Sequence, residues 1–214
     1  MTEIEFVKPA EIEKRSFEII QSELDERGII LPADQDMITR RVIHTSADFD
    51  YAQTLKYSPD AVCKAKELIR NGACIVTDTN MALAGINKKV LAQFGGEAYC
   101  FMADEDVAAE AKQRGMTRAA VSMERAAKIA GKVIFAIGNA PTALITLYQL
   151  MQDGIYTPDF VIGVPVGFVN VEAAKELFLG SDVPYIINKG RKGGSNVAAA
   201  ICNALLYELQ KEKC

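Results

Sequence analysis

The chain has 214 residues, half of them hydrophobic and 24% charged, a length and balance that fit one domain with a sizeable core and exclude intrinsic disorder. Its 24 Lys and Arg stand against 28 Asp and Glu, a net charge of −4 with no long block of one sign, which argues against a nucleic-acid binder. No apolar run approaches the roughly 20 residues that cross a bilayer, and the opening segment has no apolar stretch behind positive charges, so the expectation is a cytoplasmic protein without a membrane partner.

In chain order, residues 1–70 carry helical periodicity near 9–27, 34–46 and 59–71 and no strand pattern. No Pro/Gly/Ser-rich linker follows them. They are expected to form a helical layer packed on residues 71–214, so that 1–214 is a single domain. Beyond residue 70, β-branched runs too short for helices recur at 73–77, 98–102, 132–138, 159–164 and 184–188 and read as five buried strands. Helical patterns at 104–114, 118–130, 141–152, 170–179 and 195–210 separate them, many opened by an Asp, Asn or Ser that can cap. Strand–helix alternation of this kind predicts a mostly parallel sheet with helices on both faces. The five cysteines (Cys63, Cys74, Cys100, Cys202, Cys214) are odd in number, without CxxC or a Cys/His cluster, and read as reduced thiols with no metal site.

Ligands of such sheets bind beyond the carboxyl ends of the strands. The loops expected there are distinctive: TDTNMALAG at 77–85, IGNAPTAL at 137–144, GVPVGFVN at 163–170 and NKGRKGGSN at 188–196. Gly, Asn, Ser and Thr gather at helix starts, where free N–H groups and the helix dipole favour anions. Gly190–Ser195 suits an anion cradle but matches neither nucleotide-loop pattern, and a plain strand-to-helix turn with solvated charges fits it as well. Asp78 ends a strand like a phospho-acceptor or metal ligand, yet no second carboxylate stands near it in sequence. Ser16, Thr45, Thr79 and Ser122 lack a nucleophile elbow. His44 is the only histidine. On a helix it shares a face with Arg40 and Asp48, and imidazole is the side chain suited to proton exchange near neutral pH. A partly buried structural histidine is the alternative reading.

Taken in order and spacing, Arg15-Ser16-Phe17, the segment Arg40 to Ala52 with its VIHTSADFDYA core, Asp78-Thr79-Asn80-Met81, Thr117-Arg118, Gly138 to Leu144, Gly163 to Val169 and Gly190 to Ser195 resemble the precorrin-8X methylmutase family over nearly the whole chain. The resemblance implies a flavodoxin-like three-layer α/β/α fold with a five-stranded mostly parallel sheet and an N-terminal helical layer. It implies a homodimer with shared sites, and a rearrangement that moves a methyl group from carbon 11 to carbon 12 of a tetrapyrrole in cobalamin biosynthesis. His44 becomes the acid that protonates the substrate. No cofactor is implied, because the methyl leaves and returns within one molecule. A substrate fringed with acetates and propionates needs carboxylate partners, for which Arg15, Arg40, Arg41, Arg118, Arg191 and Lys192 are candidates. Ser16, Thr79 and Asn139 are expected to add polar contacts, and Met81, Val166 and Phe168 to supply apolar walls for the flat ring.

Overall fold

Short β-branched runs between Gly-, Asn- and Thr-rich loops build the sheet. In the computed structural model, which describes residues 4–212, the strands are β1 (Leu55–Tyr57), β2 (Cys74–Thr77), β3 (Ala98–Tyr99), β4 (Val133–Ile137), β5 (Phe160–Gly163) and β6 (Tyr185–Asn188). Their order is β1-β6-β5-β4-β2-β3, and every pairing is parallel except β1 with β6. Without β1 this is the doubly wound flavodoxin-like order, whose direction of winding reverses between β2 and β4.

The helices are α1 (Ile12–Glu26), α2 (Asp36–Ser46), α3 (Tyr51–Thr54), α4 (Ala61–Arg70), α5 (Asn80–Gly85), α6 (Lys88–Ala92), α7 (Glu105–Arg114), α8 (Arg118–Ala126), α9 (Pro141–Gln152), α10 (Val171–Leu179) and α11 (Ser195–Glu212). Alternation along the strands assigns them to two faces. Ile75, Ile134, Ala136, Phe160, Ile162 and Ile186 pack under α1, α2, α4, α5, α6 and α11. Their strand neighbours Val76, Val133, Phe135, Ile137, Val161 and Ile187 pack under α8, α9 and α10. Both faces of the sheet are therefore dry, which is why its strands read as continuous apolar runs. The N-terminal helices extend one of the two helical layers.

Two expectations need correction. The sheet has six strands, the extra one within residues 1–70, where none was expected. Leu55–Tyr57 is only three residues long and follows α3 without a break, so its pairing with Ile186–Asn188 is set by its neighbour and not by a local pattern. Lys56 is exposed, as befits an edge strand. The run at 98–102 pairs only through Ala98 and Tyr99. Phe101 beyond it stacks on Tyr99 at 6.0 Å and lies under the Arg125 guanidinium. Of the cysteines, Cys202 is buried, Cys74 and Cys100 are half-buried and Cys63 is exposed, all four free. Cys214 lies outside the described residues.

At the winding reversal, where related sheets bind ligands, the chain supplies its own anion. Asp78 follows β2, is fully buried, and accepts the backbone N–H groups of Gly138, Asn139 and Ala140 at 2.8, 2.8 and 2.5 Å. Burial pushes the carboxyl's pKa up, and these donors pull it back. Asp78 is thus neither a phospho-acceptor nor a ligand in waiting; it caps the turn into α9. Gly138 must be glycine, because a Cβ there would lie 2.7 Å from Ser195 Cα and 2.8 Å from the Gly194 carbonyl oxygen. An Asp78→Asn amide would face one of the three N–H groups with an NH2, leaving a buried donor unpaired. We expect it to lower unfolding free energy by about 2 kcal/mol, read as a shift of the urea midpoint at constant slope.

Candidate active site

The carboxyl ends of the strands form one rim. Thr79 caps α5, its Oγ1 accepting the Ala82 N–H at 3.1 Å, and the same hydroxyl lies 2.7 Å from Ser195 Oγ at the start of α11. This pair ties the loop after β2 to the loop after β6. On the other layer, Thr117 caps α8 and its hydroxyl bonds Thr142 at the start of α9. Gly193, at φ +159, lets the β6–α11 loop close on the β5–α10 loop, since a Cβ would fall 2.1 Å from the Val164 oxygen. Gly194 N–H bonds that same carbonyl. Five helix N-termini, those of α5, α8, α9, α10 and α11, converge here.

Onto this rim the sequence places apolar side chains facing solvent. Met81 is 71% and Phe168 82% exposed, with Val166 and Val169 beside them. Such a patch around anion-friendly helix starts fits a ligand that is both flat and acidic. Asn139 is held by its N–H on Asp78, and Arg118 at the first turn of α8 donates to the Met102 carbonyl at 3.3 Å. Arg191 pairs with Glu172 at 3.0 Å and lies 5.6 Å from the Phe168 ring centre. Lys192 Nζ reaches both Asp48 and Asp50 at 2.6 Å, which raises its own pKa. Partial burial pushes Asp48 up, but the Lys192 ammonium and the Asp50 N–H outweigh it and hold the carboxyl below its ordinary value.

Lys192 also brings the His44 segment to the rim. Helix α2 buries Ile38, Val42 and Ile43 and leaves His44 exposed. It ends at Ala47, whose left-handed φ of 52 and N–H to the Ile43 carbonyl close the last turn. Asp48 therefore lies past the helix, and the expected Arg40–His44–Asp48 face does not form; Asp48 serves Lys192 instead. The imidazole stacks on Phe17 of α1, centroids 5.5 Å apart at 18°. Beyond it opens a groove lined by Ser16, Ile19, Ile43, Ala47 and Phe49.

The other sequence candidates are placed unevenly. Ser16 borders the groove, though its hydroxyl donates to the Ile12 carbonyl. Arg15 pairs with Glu5 and Glu18, and Arg40 with Asp36 on its own helix. Arg41 turns along α11, pairing with Glu13 at 2.6 Å and lying over Phe17 and Tyr207. Within one chain, then, His44 and Ser16 sit with Lys192 on the α2 and α11 side of the rim, whereas Arg191, paired with Glu172 of α10, and Arg118 of α8 belong with the opposite helical layer. Phe17 and Ser195 had no role assigned from sequence. Both stood inside the quoted motifs, and only their contacts give them one.

Comparison with known proteins follows the same lines. The family model described as precorrin-8X methylmutase matches residues 11–208. The cobalt-precorrin-8 methylmutase of Priestia megaterium is 44% identical over 93% of this chain and 88% of its own length. That of Salmonella typhimurium is 43% identical over 95% and 97%. The crystal structure of precorrin-8x methyl mutase from Thermus thermophilus superposes with a TM-score of 0.83 at 33% identity, covering 95% of this chain and all of that one. A match of this extent means that the chain belongs to the precorrin-8X methylmutase family.

Proposed function

We propose that the chain moves a methyl group from carbon 11 to carbon 12 of precorrin-8 or its cobalt form, with His44 as the general acid. The observation that carries the role of His44 is its placement: the only histidine is exposed on α2, stacked on Phe17, and opens onto a groove at the rim. The shift rearranges the conjugated system and keeps every atom in the molecule. A proton delivered to the macrocycle beside the migrating carbon stabilises the charge that develops, and it returns to the imidazole as the corrin forms. Substrate carboxylates take the place of Glu172 on Arg191 and meet Arg118 and the helix N-termini around the rim, with Thr79, Asn139 and Ser16 at closer range. Met81, Val166 and Phe168 meet the flat ring. Free thiols at Cys63, Cys74, Cys100 and Cys202 support a reducing cytoplasmic setting, and no described helix is long and apolar enough to cross a membrane.

Three experiments test this reading. His44→Ala is expected to fold and bind but to lose roughly 10²–10⁴ in single-turnover rate. His44→Asn, which hydrogen-bonds but carries no proton, should fail alike; wild-type turnover of bound substrate by either variant removes His44 from the chemistry. Arg191 meets carboxylates that persist through the reaction, so it contributes equally to ground and transition states. Arg191→Ala should raise KM several-fold and leave kcat in place, and a fall in kcat alone would contradict that role. The exposed apolar rim and the placement of Arg118 in the helical layer opposite His44 favour a homodimer with shared sites. Sedimentation should give twice the chain mass, and a monomer that still turns over refutes it.

A further inference from the structure

Lys175 is a lysine in an apolar setting. It lies on α10, 1% exposed, with no carboxylate paired to it among the described residues. Its Nζ donates to the Gly190 carbonyl at 2.7 Å and to the Lys192 carbonyl at 2.9 Å. The carbonyl between them, that of Arg191, accepts the Gly167 N–H at 3.2 Å, and the Lys192 carbonyl also accepts from the buried Asn188 amide at 2.8 Å. Every carbonyl oxygen of 190–192 is thus drawn inward, and the Arg191 and Lys192 side chains are left to project. Elsewhere a buried cation is held by a carboxylate, because desolvation is costly. Here the carboxylate of Glu172, one turn back on the same helix, is committed to Arg191. A buried positive charge therefore sits beneath the loop, unneutralised by direct contact, on the side from which substrate carboxylates approach.

We propose that Lys175 is a positioning residue for substrate binding: its ammonium fixes the Gly190 and Lys192 carbonyls, presents Arg191 to the carboxylates of the tetrapyrrole, and adds its own charge to the rim. The inference rests on the substrate assignment above and goes beyond it. The charged groups around Lys175 are Glu172 on its own helix and Arg191 and Lys192 on the loop, Lys192 being occupied by Asp48 and Asp50. Desolvation lowers the lysine's pKa to about 8, against the raising influence of Glu172. The neutral amine still has two donors for two carbonyls, so raising the pH removes the charge and leaves the loop bonded. Between about 8 and the ordinary lysine value of about 10.4 the unfolded chain binds more protons than the folded one, so this group makes stability rise with pH. Substrate affinity moves the other way.

The test is KM and kcat for precorrin-8X turnover from pH 7 to 10 in the wild type and in Lys175→Met, with urea midpoints at each pH. Wild-type KM should rise several-fold with a midpoint near pH 8 while stability does not fall. Lys175→Met should show a KM raised about tenfold at pH 7, no such pH dependence, and a kcat near wild type. A folded Lys175→Met with wild-type KM overturns the role. Where that variant does not fold, a wild-type KM that is flat across the range overturns it equally. Absence of turnover in the wild type would instead overturn the substrate assignment, and this inference with it.

Discussion

A carboxylate buried at the winding reversal of the sheet determines what this fold can hold. In a doubly wound sheet the crevice between β2 and β4 offers backbone N–H groups at a helix start, a ready place for a phosphate. Asp78 occupies it from within, its two oxygens taking the N–H groups of three successive residues. The consequence is exclusion as much as stability. A nucleotide or flavin phosphate has no free N–H groups to meet there, because a covalently tethered carboxylate already takes them. The same contact brings Gly138 within van der Waals reach of Ser195, and with it the Thr79–Ser195 bridge. The rim's shape follows from that one anchored turn.

On the rim, an acidic chain has to bind an acidic substrate. Five of its six candidate cations are already paired in the free protein, Arg15 with Glu5, Arg40 with Asp36, Arg41 with Glu13, Arg191 with Glu172, and Lys192 with Asp48 and Asp50, while Arg118 donates to the Met102 carbonyl. Exposed pairs of this sort contribute about 0–1 kcal/mol each, so exchanging the Glu172 carboxylate for a substrate carboxylate costs little. Arg40 and Arg41 are the most buried of these arginines, at 18% and 16% side-chain exposure; the Arg41–Glu13 pair ties α2 to α1, while the Arg40–Asp36 pair lies within α2 itself. Arg191 stands half-exposed beside Phe168, whereas Lys192 has two carboxylates that fasten the α2–α3 turn to the β6–α11 loop.

Much of this was legible in the sequence. The parallel core follows from β-branched runs at regular spacing, and α9 begins and ends where Pro141 and the apolar period require. The loops after the strands announced themselves by Gly, Asn and Thr. What stayed hidden depends on partners far along the chain. Leu55–Tyr57 is a strand only because β6, some 130 residues later, offers an edge. Asp78 looks like a reactive carboxylate until the turn at 138–140 folds over it. Lys175 within VEAAKELFL has the pattern of a solvated charge, and nothing local reveals that its ammonium is capped by two carbonyls 15 and 17 residues on. The left-handed Ala47 is the subtlest case. One residue ends α2 and turns Asp48 from a neighbour of His44 into a neighbour of Lys192.

That turn also decides what stands beside His44. With Asp48 withdrawn to Lys192, the ring's stacked neighbour is the apolar face of Phe17. Stacking restrains the ring's orientation without engaging a ring nitrogen in a hydrogen bond. The groove beside it has apolar walls at Ile19, Ile43 and Phe49 and a charged edge, the Arg27–Glu23 pair whose guanidinium lies over the Phe49 ring. On the proposed reading of His44 as the acid, this exposed histidine would gain its low-dielectric setting from the substrate, which would supply the missing wall of the groove.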